Sequence, residues 1–269
     1  MCVPGCLETV TGNLSRRGFF KGFAAAAGAA MVVKPPAPVL AQEVKFSKPV
    51  DLTHVTWPEF PTFFGERQLD FEVIFSLDKD GFNMKKWHLV EHTGTHMDAP
   101  MHFSNKNDPS QIPVEQLVVP LAVINIADRA AQDPDTQLTP DDIKAWTDKN
   151  GDLPEGCCVA MNSGWDQHVK TEKFRNARED GLHFPGFHPE ATAMLLERNV
   201  NGIAVDTLSL DFGQSKDFKT HYAWLPANRW GLEAVANLAS VPEKGATLVV
   251  GAPKIEGATG GPTRVIALT

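Results

Sequence analysis

Three of the nine histidines and one aspartate lie within eleven consecutive residues, from His92 to His102. Between His92 and His102 lie two further residues of the kinds that bind metals, His96 and Asp98. Imidazole nitrogen and carboxylate oxygen together suit Zn²⁺, Mn²⁺ or Fe²⁺, and a histidine can also transfer protons near neutral pH. This stretch, called the histidine segment below, therefore predicts a metal centre. Unrelated surface histidines are the alternative, which this density disfavours.

The spacing within the histidine segment indicates a turn. A helix would place His92 and His96 on one face, but the intervening Thr-Gly-Thr is poor helix-forming sequence. In an extended strand the two residues would lie roughly 13 Å apart, too far for one ion with bonds of about 2.0–2.2 Å. The chain must therefore bend, and Gly94 is the residue that permits it.

The remaining pattern predicts strands and helices interleaved without a regular period, and hence a single mixed α/β or α+β domain. Helices are expected over about 139–149, 189–198 and 230–238. Residues 257–261 are expected to form a glycine-rich turn. Strands are expected over residues 50–56, 71–77, 87–91, 117–126, 157–161, 203–206, 247–250 and 264–268.

The N-terminus indicates export. Residues 15–21 read Ser-Arg-Arg-Gly-Phe-Phe-Lys, and the alanine-rich apolar run 22–33 that follows has twelve residues, short of the roughly twenty that span a bilayer. Val39-Leu40-Ala41 offers a cleavage site before Gln42. We expect residues 1–41 to be a twin-arginine signal peptide, and residues 42–269 to be a periplasmic domain exported already folded. An alanine-rich N-terminal helix is the alternative.

Charge and cysteine content exclude several classes of protein. Residues 1–41 hold four basic residues and one acidic residue, so their removal changes the formal charge from −8 to −11. Such a surface repels nucleic acid and anionic lipid, and we expect neither as a partner of the processed chain. Cys157 and Cys158 are adjacent in an apolar stretch. They are predicted to be two core thiols, with a strained vicinal disulfide as the alternative.

The histidine segment reads His-x-Gly-Thr-His-x-Asp-x-Pro-x-His. This resembles the signature of the metal-dependent cyclase-like hydrolases, a family that includes bacterial kynurenine formamidases and isatin hydrolases. Further matches occur in family order, at residues 51–53, 57–58, 163–166, 184–186, 205–211 and 257–264. The resemblance covers most of residues 42–269 and implies the family's swivelling β/β/α fold. It also implies a homodimer or a higher homo-oligomer.

The resemblance also implies a set of site residues. One ion would be held by His92, His96, Asp98 and Glu233, and a second by Asp98, His221 and Glu233. His102 corresponds to the family's proton-transfer histidine and Trp57 to its substrate-contacting tryptophan. Phe63 belongs to an aromatic-rich segment that could stack on a flat substrate. The isatin-hydrolase branch uses one manganese and has glutamine at the position of Glu233. The resemblance is therefore compatible with either zinc or manganese, and with either one ion or two.

These features together predict an enzyme that hydrolyses the C–N bond of a small aryl formamide or cyclic amide such as isatin. A divalent ion lowers the pKa of bound water from 15.7 to about 7, and His102 would move its proton to the departing nitrogen. A cyclase or lyase on the same fold is one alternative. A non-catalytic periplasmic metal- or ligand-binding protein is the other, which His102 disfavours because the metal does not need it.

Overall fold

The computed structural model describes residues 46–269, so the predicted signal peptide, residues 1–41, lies outside the described residues. Within that range no helix is both long and apolar enough to cross a membrane. The helices are α1 (Leu77–Asp80), α2 (Ala127–Gln132), α3 (Pro140–Asn150), α4 (Pro189–Glu197) and α5 (Lys219–Trp224). The strands are β1 (Pro49–Asp51), β2 (Leu69–Phe75), β3 (Met84–Leu89), β4 (His96–Asp98), β5 (Val118–Asn125), β6 (Gln137–Leu138), β7 (Cys158–Asn162), β8 (Ala177–Arg178), β9 (Gly181–Leu182), β10 (Gly186–Phe187), β11 (Gly202–Val205), β12 (Trp230–Glu233), β13 (Ala246–Gly251), β14 (Gly260–Pro262) and β15 (Arg264–Leu268).

A nine-stranded mixed sheet carries the architecture, in the order β1-β15-β13-β5-β7-β11-β12-β4-β14. Its four central strands, β5, β7, β11 and β12, run parallel. The strands on both flanks pair antiparallel. Parallel strands need both faces covered, which explains why they read as continuous apolar runs. The predicted mixed α/β class is confirmed.

The two faces of the sheet bury separate apolar cores. Along β7, Cys158 and Ala160 pack into a core lined by the sheet's own strands. Val159 and Met161 point to the other face, where the helices α3, α4 and α5 pack. Cys157 lies in that second core, so the two cysteines are free thiols buried on opposite faces. The prediction of two core thiols is confirmed, and burial raises the pKa of Cys157 to about 12.

The helix predicted over 139–149 forms as α3. Thr139 is its N-cap and accepts a hydrogen bond from the amide of Asp142, whose side chain bonds back to Thr139 in a capping box. Pro140 occupies the first helical position, where a missing N–H costs nothing. The helix predicted over 189–198 forms as α4.

The helix predicted over 230–238 is wrong. Residues 230–233 form the buried strand β12, and only Leu238–Ser240 make a short 3₁₀ turn. A strand covered on both faces lacks the alternation of a half-exposed strand, so its apolar run resembles that of a buried helix. The segment predicted as a turn over 257–261 also contributes a strand, because β14 begins at Gly260 and pairs with β4.

A two-stranded hairpin lies outside the large sheet. β2 and β3 pair antiparallel from Leu69↔Leu89 to Phe75↔Met84, with an irregularity between Val73 and Phe75. The strands predicted over 71–77 and 87–91 are thus present but shifted by two or three residues. We call residues 69–89 the hairpin arm.

A buried histidine joins two connecting segments. His183 contacts Asp135 through Nδ1 at 2.8 Å and Asp180 through Nε2 at 3.0 Å. The contact with Asp180 raises the pKa of His183, burial opposes this shift, and Asp135 adds to it. In its protonated form the imidazole pairs with both carboxylates and stabilises the contact between the segment after α2 and the β8–β9 hairpin.

We predict that this histidine makes stability pH-dependent. Because its folded pKa is raised, its contribution is fully present below the unfolded value of about 6.5 and is lost as the pH rises through the folded pKa. The difference in free energy of unfolding between wild type and His183→Gln, measured by urea denaturation, should therefore shrink above that range. The decline should be smaller in an Asp135→Asn background, and a difference that grows with pH would contradict the assignment.

Candidate metal centre

The pairing of β4 with β12 places three acidic and imidazole side chains on one face of the sheet. In this antiparallel pair Glu233 lies opposite His96, and Asp98 lies opposite Gly231. Side chains alternate along a strand, so His96 and Asp98 face the site while Met97 enters the core. His221 comes from α5, which packs on the same side.

The predicted turn in the histidine segment is confirmed. Gly94 adopts a φ of +73°, in the left-handed region. A β-carbon there would also collide with the Thr56 hydroxyl, so glycine is required on both counts. The bend brings the His92 and His96 rings within 5.1 Å of each other, centroid to centroid.

All five residues predicted as ligands come together around one point. They form two triads, His92 with His96 and Asp98, and His221 with Asp98 and Glu233, within each of which the ligand atoms lie within 4.8 Å of one another. His96 Nε2 is 3.4 Å from a Glu233 oxygen, and His221 Nε2 is 3.6 Å from Asp98 Oδ2. Asp98 belongs to both triads, as a bridging carboxylate would.

The donor atoms fit a divalent cation. Among the described residues, His96 Nε2 and Asp98 Oδ2 are buried without a hydrogen-bond partner, a costly arrangement unless another group satisfies them. Burial opposes protonation of His96, but its contacts with Asp98 and Glu233 outweigh burial and raise the pKa of His96 to about 10. The two carboxylates thus attract positive charge into a site made of nitrogen and oxygen donors, which suits zinc or manganese.

The opposite ring nitrogens of two of these histidines are held by hydrogen bonds. His96 Nδ1 lies 2.9 Å from the Gly94 carbonyl, and His221 Nδ1 lies 2.6 Å from Asp211 Oδ2. Such contacts fix the tautomer and direct the free Nε2 to the ion. Asp211 therefore supports His221, to which it bonds both at the backbone amide and at Nδ1.

Asp206, in contrast to Asp211, supports a turn of the backbone. At the end of β11 it accepts hydrogen bonds from the Ser163 hydroxyl at 2.5 Å and from the amides of Ser163 and Trp165, each at 3.0 Å. Burial raises the pKa of Asp206 to about 7, although the contact with Ser163 opposes the shift. It joins the ends of β7 and β11 and so fixes the Ser-Gly-Trp turn, in which Trp165 is buried.

A hydrogen-bond relay behind His92 was missed from the sequence. His92 Nε2 lies 2.9 Å from the Thr259 hydroxyl, which donates to Glu91 at 2.5 Å. His92 Nδ1 therefore faces Asp98, at 2.7 Å. A β-carbon on Gly260 would lie 2.8 Å from His92 Cε1, so glycine at this position leaves room for the His92 ring. Glu91 directly precedes His92, and Thr259 belongs to a matched motif, but nothing in the sequence indicates that the two meet.

His102 lies beside the ligands. Its ring stacks on that of His92, with centroids 3.9 Å apart and an interplanar angle of 27°, and lies 6.0 Å from the ring of His221. Burial lowers the pKa of His102 from the ordinary histidine value of about 6.5 to about 4. The imidazole is therefore neutral at pH 7, with a lone pair free to accept a proton, although burial makes it a weaker base than an exposed histidine.

Aromatic side chains line the approach to His221. Phe103 and Phe218 lie 4.6 Å and 5.8 Å from its ring, and neither was expected. Phe63, predicted to contact the substrate, packs against Phe218 at 6.0 Å. Trp57, the other residue predicted to do so, packs one layer away, on Phe60 at 5.0 Å. Phe63 is therefore connected to His221 through one intervening ring, that of Phe218. Trp57 is connected to it less directly.

The fold and the site together define a class: a mixed α/β protein whose buried histidine–carboxylate centre suits a metal-dependent hydrolase. Comparison with known proteins agrees. The family model described as putative cyclase matches residues 50–212. The chain belongs to this cyclase family.

The curated relatives of this chain include an isatin hydrolase and several kynurenine formamidases. An isatin hydrolase from Roseibium aggregatum is 36% identical over 238 residues, which cover 81% of this chain and 90% of the relative. A kynurenine formamidase from Bacillus cereus is 24% identical over 181 residues, or 66% and 75% of the two chains. A solved isatin hydrolase bound to the product analogue thioisatinate superposes with a TM-score of 0.78 at 34% identity, covering 82% and 92%.

We predict that Thr259 sets the metal affinity. Thr259→Val keeps the shape of the side chain but removes the hydroxyl that orients His92, and losses of this kind typically cost about 10–100-fold in affinity. Zn²⁺ and Mn²⁺ affinities should be measured by calorimetric competition with a chelator. Thr263→Val is the matched control, because within residues 46–269 its buried hydroxyl bonds only to the Gly261 carbonyl. Unchanged affinity in Thr259→Val would show that the relay does not support the site.

Proposed function

We propose that this chain is a metal-dependent hydrolase that cleaves the amide C–N bond of a small aryl formamide or cyclic aromatic amide. The observation that carries the proposal is the convergence of the two triads sharing Asp98, with unsatisfied His96 Nε2 and Asp98 Oδ2 and with His102 stacked beside them. The activities named for the similar isatin hydrolase and kynurenine formamidase support the choice of bond.

The triad of His92, His96 and Asp98 would hold one ion, and His221 and Glu233 would complete a second site through the shared Asp98. We propose zinc or manganese, with capacity for two ions, because both carboxylates are present. A divalent cation there would polarise the substrate carbonyl and lower the pKa of the water it binds.

His102 would be the catalytic base and then the acid. Because burial keeps it neutral at pH 7, it can take the proton of the attacking water as the new C–O bond forms. It then returns that proton to the nitrogen as the C–N bond breaks, so one group serves both transfers. Its position over the His92 ring holds it beside the candidate metal ligands.

The aromatic surroundings favour a flat substrate. Phe63, Phe103 and Phe218 form a continuous path of ring contacts to His221. Aromatic pairs prefer offset or edge-to-face arrangements at centroid distances of about 4.5–7 Å, which an aryl amide could adopt against these rings. Trp57 would contact the substrate from the outer layer.

We predict that His102→Ala separates binding from catalysis. The variant should retain the wild-type metal content but lose about 10²–10⁴-fold in hydrolysis, the usual contribution of a general acid–base. Metal content is measured by mass spectrometry, and hydrolysis of isatin and of N-formylkynurenine is followed optically. His168→Ala, a histidine away from the ligands on the turn after β7, is the matched control.

The same assays decide between the alternatives. A metal-loaded wild type that hydrolyses no amide or lactam would indicate a binding protein. A product lacking ¹⁸O after reaction in labelled water would indicate a cyclase or lyase. Equal hydrolysis by wild type and His102→Ala would exclude the proposed catalytic role of this histidine.

We further propose that the enzyme acts in the periplasm, after twin-arginine export and removal of residues 1–41, and as a homo-oligomer. The Arg-Arg pair and the apolar run support export, and the family resemblance supports oligomerisation. A periplasmic location favours an environmental substrate as much as a metabolic one.

We predict that export depends on the arginine pair. Replacing Arg16 and Arg17 together by lysine should leave the precursor in the cytoplasm, as shown by fractionation and immunoblotting, because the translocase recognises this pair. Lys34→Arg, a swap of the same kind outside the motif, should be exported normally. Periplasmic protein in equal amounts from both variants would contradict the twin-arginine assignment.

A further inference from the structure

Residues 55–66, called the aromatic segment below, carry Phe63, one of the two side chains predicted to contact the substrate, and contain no helix or strand. Phe60 is buried and holds the first half of the segment. The second half depends on polar contacts. Among the described residues, the hydrogen bonds that leave the segment go only to Arg67, which directly follows it, and to Arg175. The backbone at Phe63 is therefore held by Arg175.

Arg175 holds two consecutive carbonyl groups of the aromatic segment. Its Nε donates a hydrogen bond to the carbonyl of Thr62 at 2.8 Å, and its Nη2 donates to the carbonyl of Phe63 at 3.1 Å. A planar guanidinium presents its donors in a rigid fork, so a pair of such bonds fixes direction as well as distance. The two bonds thus orient the peptide unit from which the Phe63 ring projects.

Gly65 leaves the space that the guanidinium occupies. Its φ is +79°, in the left-handed region that favours glycine. Its amide donates a hydrogen bond to the Thr62 hydroxyl at 3.1 Å, which closes the turn around Phe63. A β-carbon on Gly65 would lie 2.8 Å from Arg175 Cζ. The turn and the arginine therefore pack in direct contact, and any side chain on Gly65 would displace the guanidinium.

The backbone around Arg175 is fixed by contacts on both sides. The preceding residue, Phe174, is fully buried, and its carbonyl accepts a hydrogen bond from the Trp165 indole at 2.9 Å. The following residue, Asn176, donates from its side chain to the His183 carbonyl at 2.8 Å. The arginine thus extends from a rigid part of the fold to a segment without regular structure, which is the arrangement needed to position that segment.

A cavity of about 1450 Å³ borders the aromatic segment, and Trp57, Thr62 and Arg175 are among the residues that line it. The Phe63 ring is not part of this lining and instead contacts the ring of Phe218, at 6.0 Å. The cavity gives the segment room to move if the bonds from the arginine are lost. Such a movement would withdraw Phe63 from the aromatic path that leads to the metal centre.

We propose that Arg175 is a positioning residue for substrate binding. By holding the carbonyls of Thr62 and Phe63, it keeps the Phe63 ring where the aryl group of the substrate binds. This inference rests on the proposed function, because it requires an aromatic substrate. Arg175 acts through Phe63 and not on the reacting bond, so its loss should weaken binding of the ground state and the transition state equally. KM should then rise while kcat stays near the wild-type value.

Steady-state kinetics with isatin and N-formylkynurenine tests this expectation. Arg175→Met keeps an unbranched side chain but loses both donors, and it should raise KM about tenfold, the typical worth of one aromatic contact. Arg175→Lys supplies a single point donor in place of the fork, so its KM should lie between the two. Arg178→Met is the matched control, because this nearby arginine is exposed and its side chain makes no hydrogen bond within residues 46–269.

A second pair of variants tests the same contact from the other side. Gly65→Ala places a β-carbon against the guanidinium and should raise KM as Arg175→Met does. Gly81→Ala, in the turn of the hairpin arm, is the control for backbone strain alone. Its φ of +78° is nearly the same, but a β-carbon there meets nothing within 4 Å in the described chain. KM should therefore remain at the wild-type value in Gly81→Ala.

Hydrogen exchange without substrate gives a readout that does not involve hydrolysis. Amides in residues 61–66 should exchange faster in Arg175→Met than in the wild type, because the turn loses the bonds that hold it. Exchange in β12 and the metal content should stay at wild-type values in the same variant.

Three results would overturn the inference. The first is an Arg175→Met variant with wild-type KM and wild-type exchange in residues 61–66. The second is a fall in kcat with unchanged KM, and the third is a loss of metal, since either would show that the arginine supports the centre itself. If the wild type hydrolyses neither compound, the proposed function fails, and calorimetry with isatin then tests Arg175. Equal dissociation constants for wild type and Arg175→Met, or no binding to either, would overturn the inference.

Discussion

Asp98 and Glu233 are buried carboxylates grouped with the same histidines, and two negative charges cannot share a water-free site without positive charge between them. His96 and His221 bring nitrogens within 3.2–3.6 Å of both carboxylates. The raised pKa of His96 reflects this need for positive charge, because contacts with the two acids overcome the penalty of burial. A divalent cation would supply this positive charge as well, and it would satisfy more of the donor atoms.

This charge arrangement also separates the roles of the histidines. The histidines that contact Asp98 or Glu233 are positioned to act as ligands, with their outer nitrogens fixed by the Gly94 carbonyl, Asp211 or Thr259. For His102, which stacks on the His92 ring, burial is the dominant influence and its pKa falls to about 4. One compact cluster thereby contains side chains suited to hold a cation and a side chain suited to move a proton.

The sequence predicts the local part of this site well. The density of histidines identifies the centre, and the distance argument correctly requires a bend at Gly94, because both depend on neighbouring residues. His221 and Glu233 were available only through family resemblance, since their approach depends on the folding of α5 and β12. Glu233 even lay in a segment predicted to be helical, because a strand buried on both faces shows no alternation. The contacts of Thr259 with Glu91 and of Phe103 with His221 depend on tertiary packing and leave no local signal.

The precision of the site depends in turn on an apolar side chain that touches no ligand atom. Met97 lies between His96 and Asp98 and is fully buried in the core against which Leu232, its cross-strand partner, also packs. A slip of one residue between β4 and β12 would turn every side chain to the opposite face. It would place His96 and Asp98 in the hydrocarbon core and Met97 at the metal centre. Burial of Met97 therefore disfavours the slipped register, so the stability of the sheet and the geometry of the candidate ligands depend on the same packing.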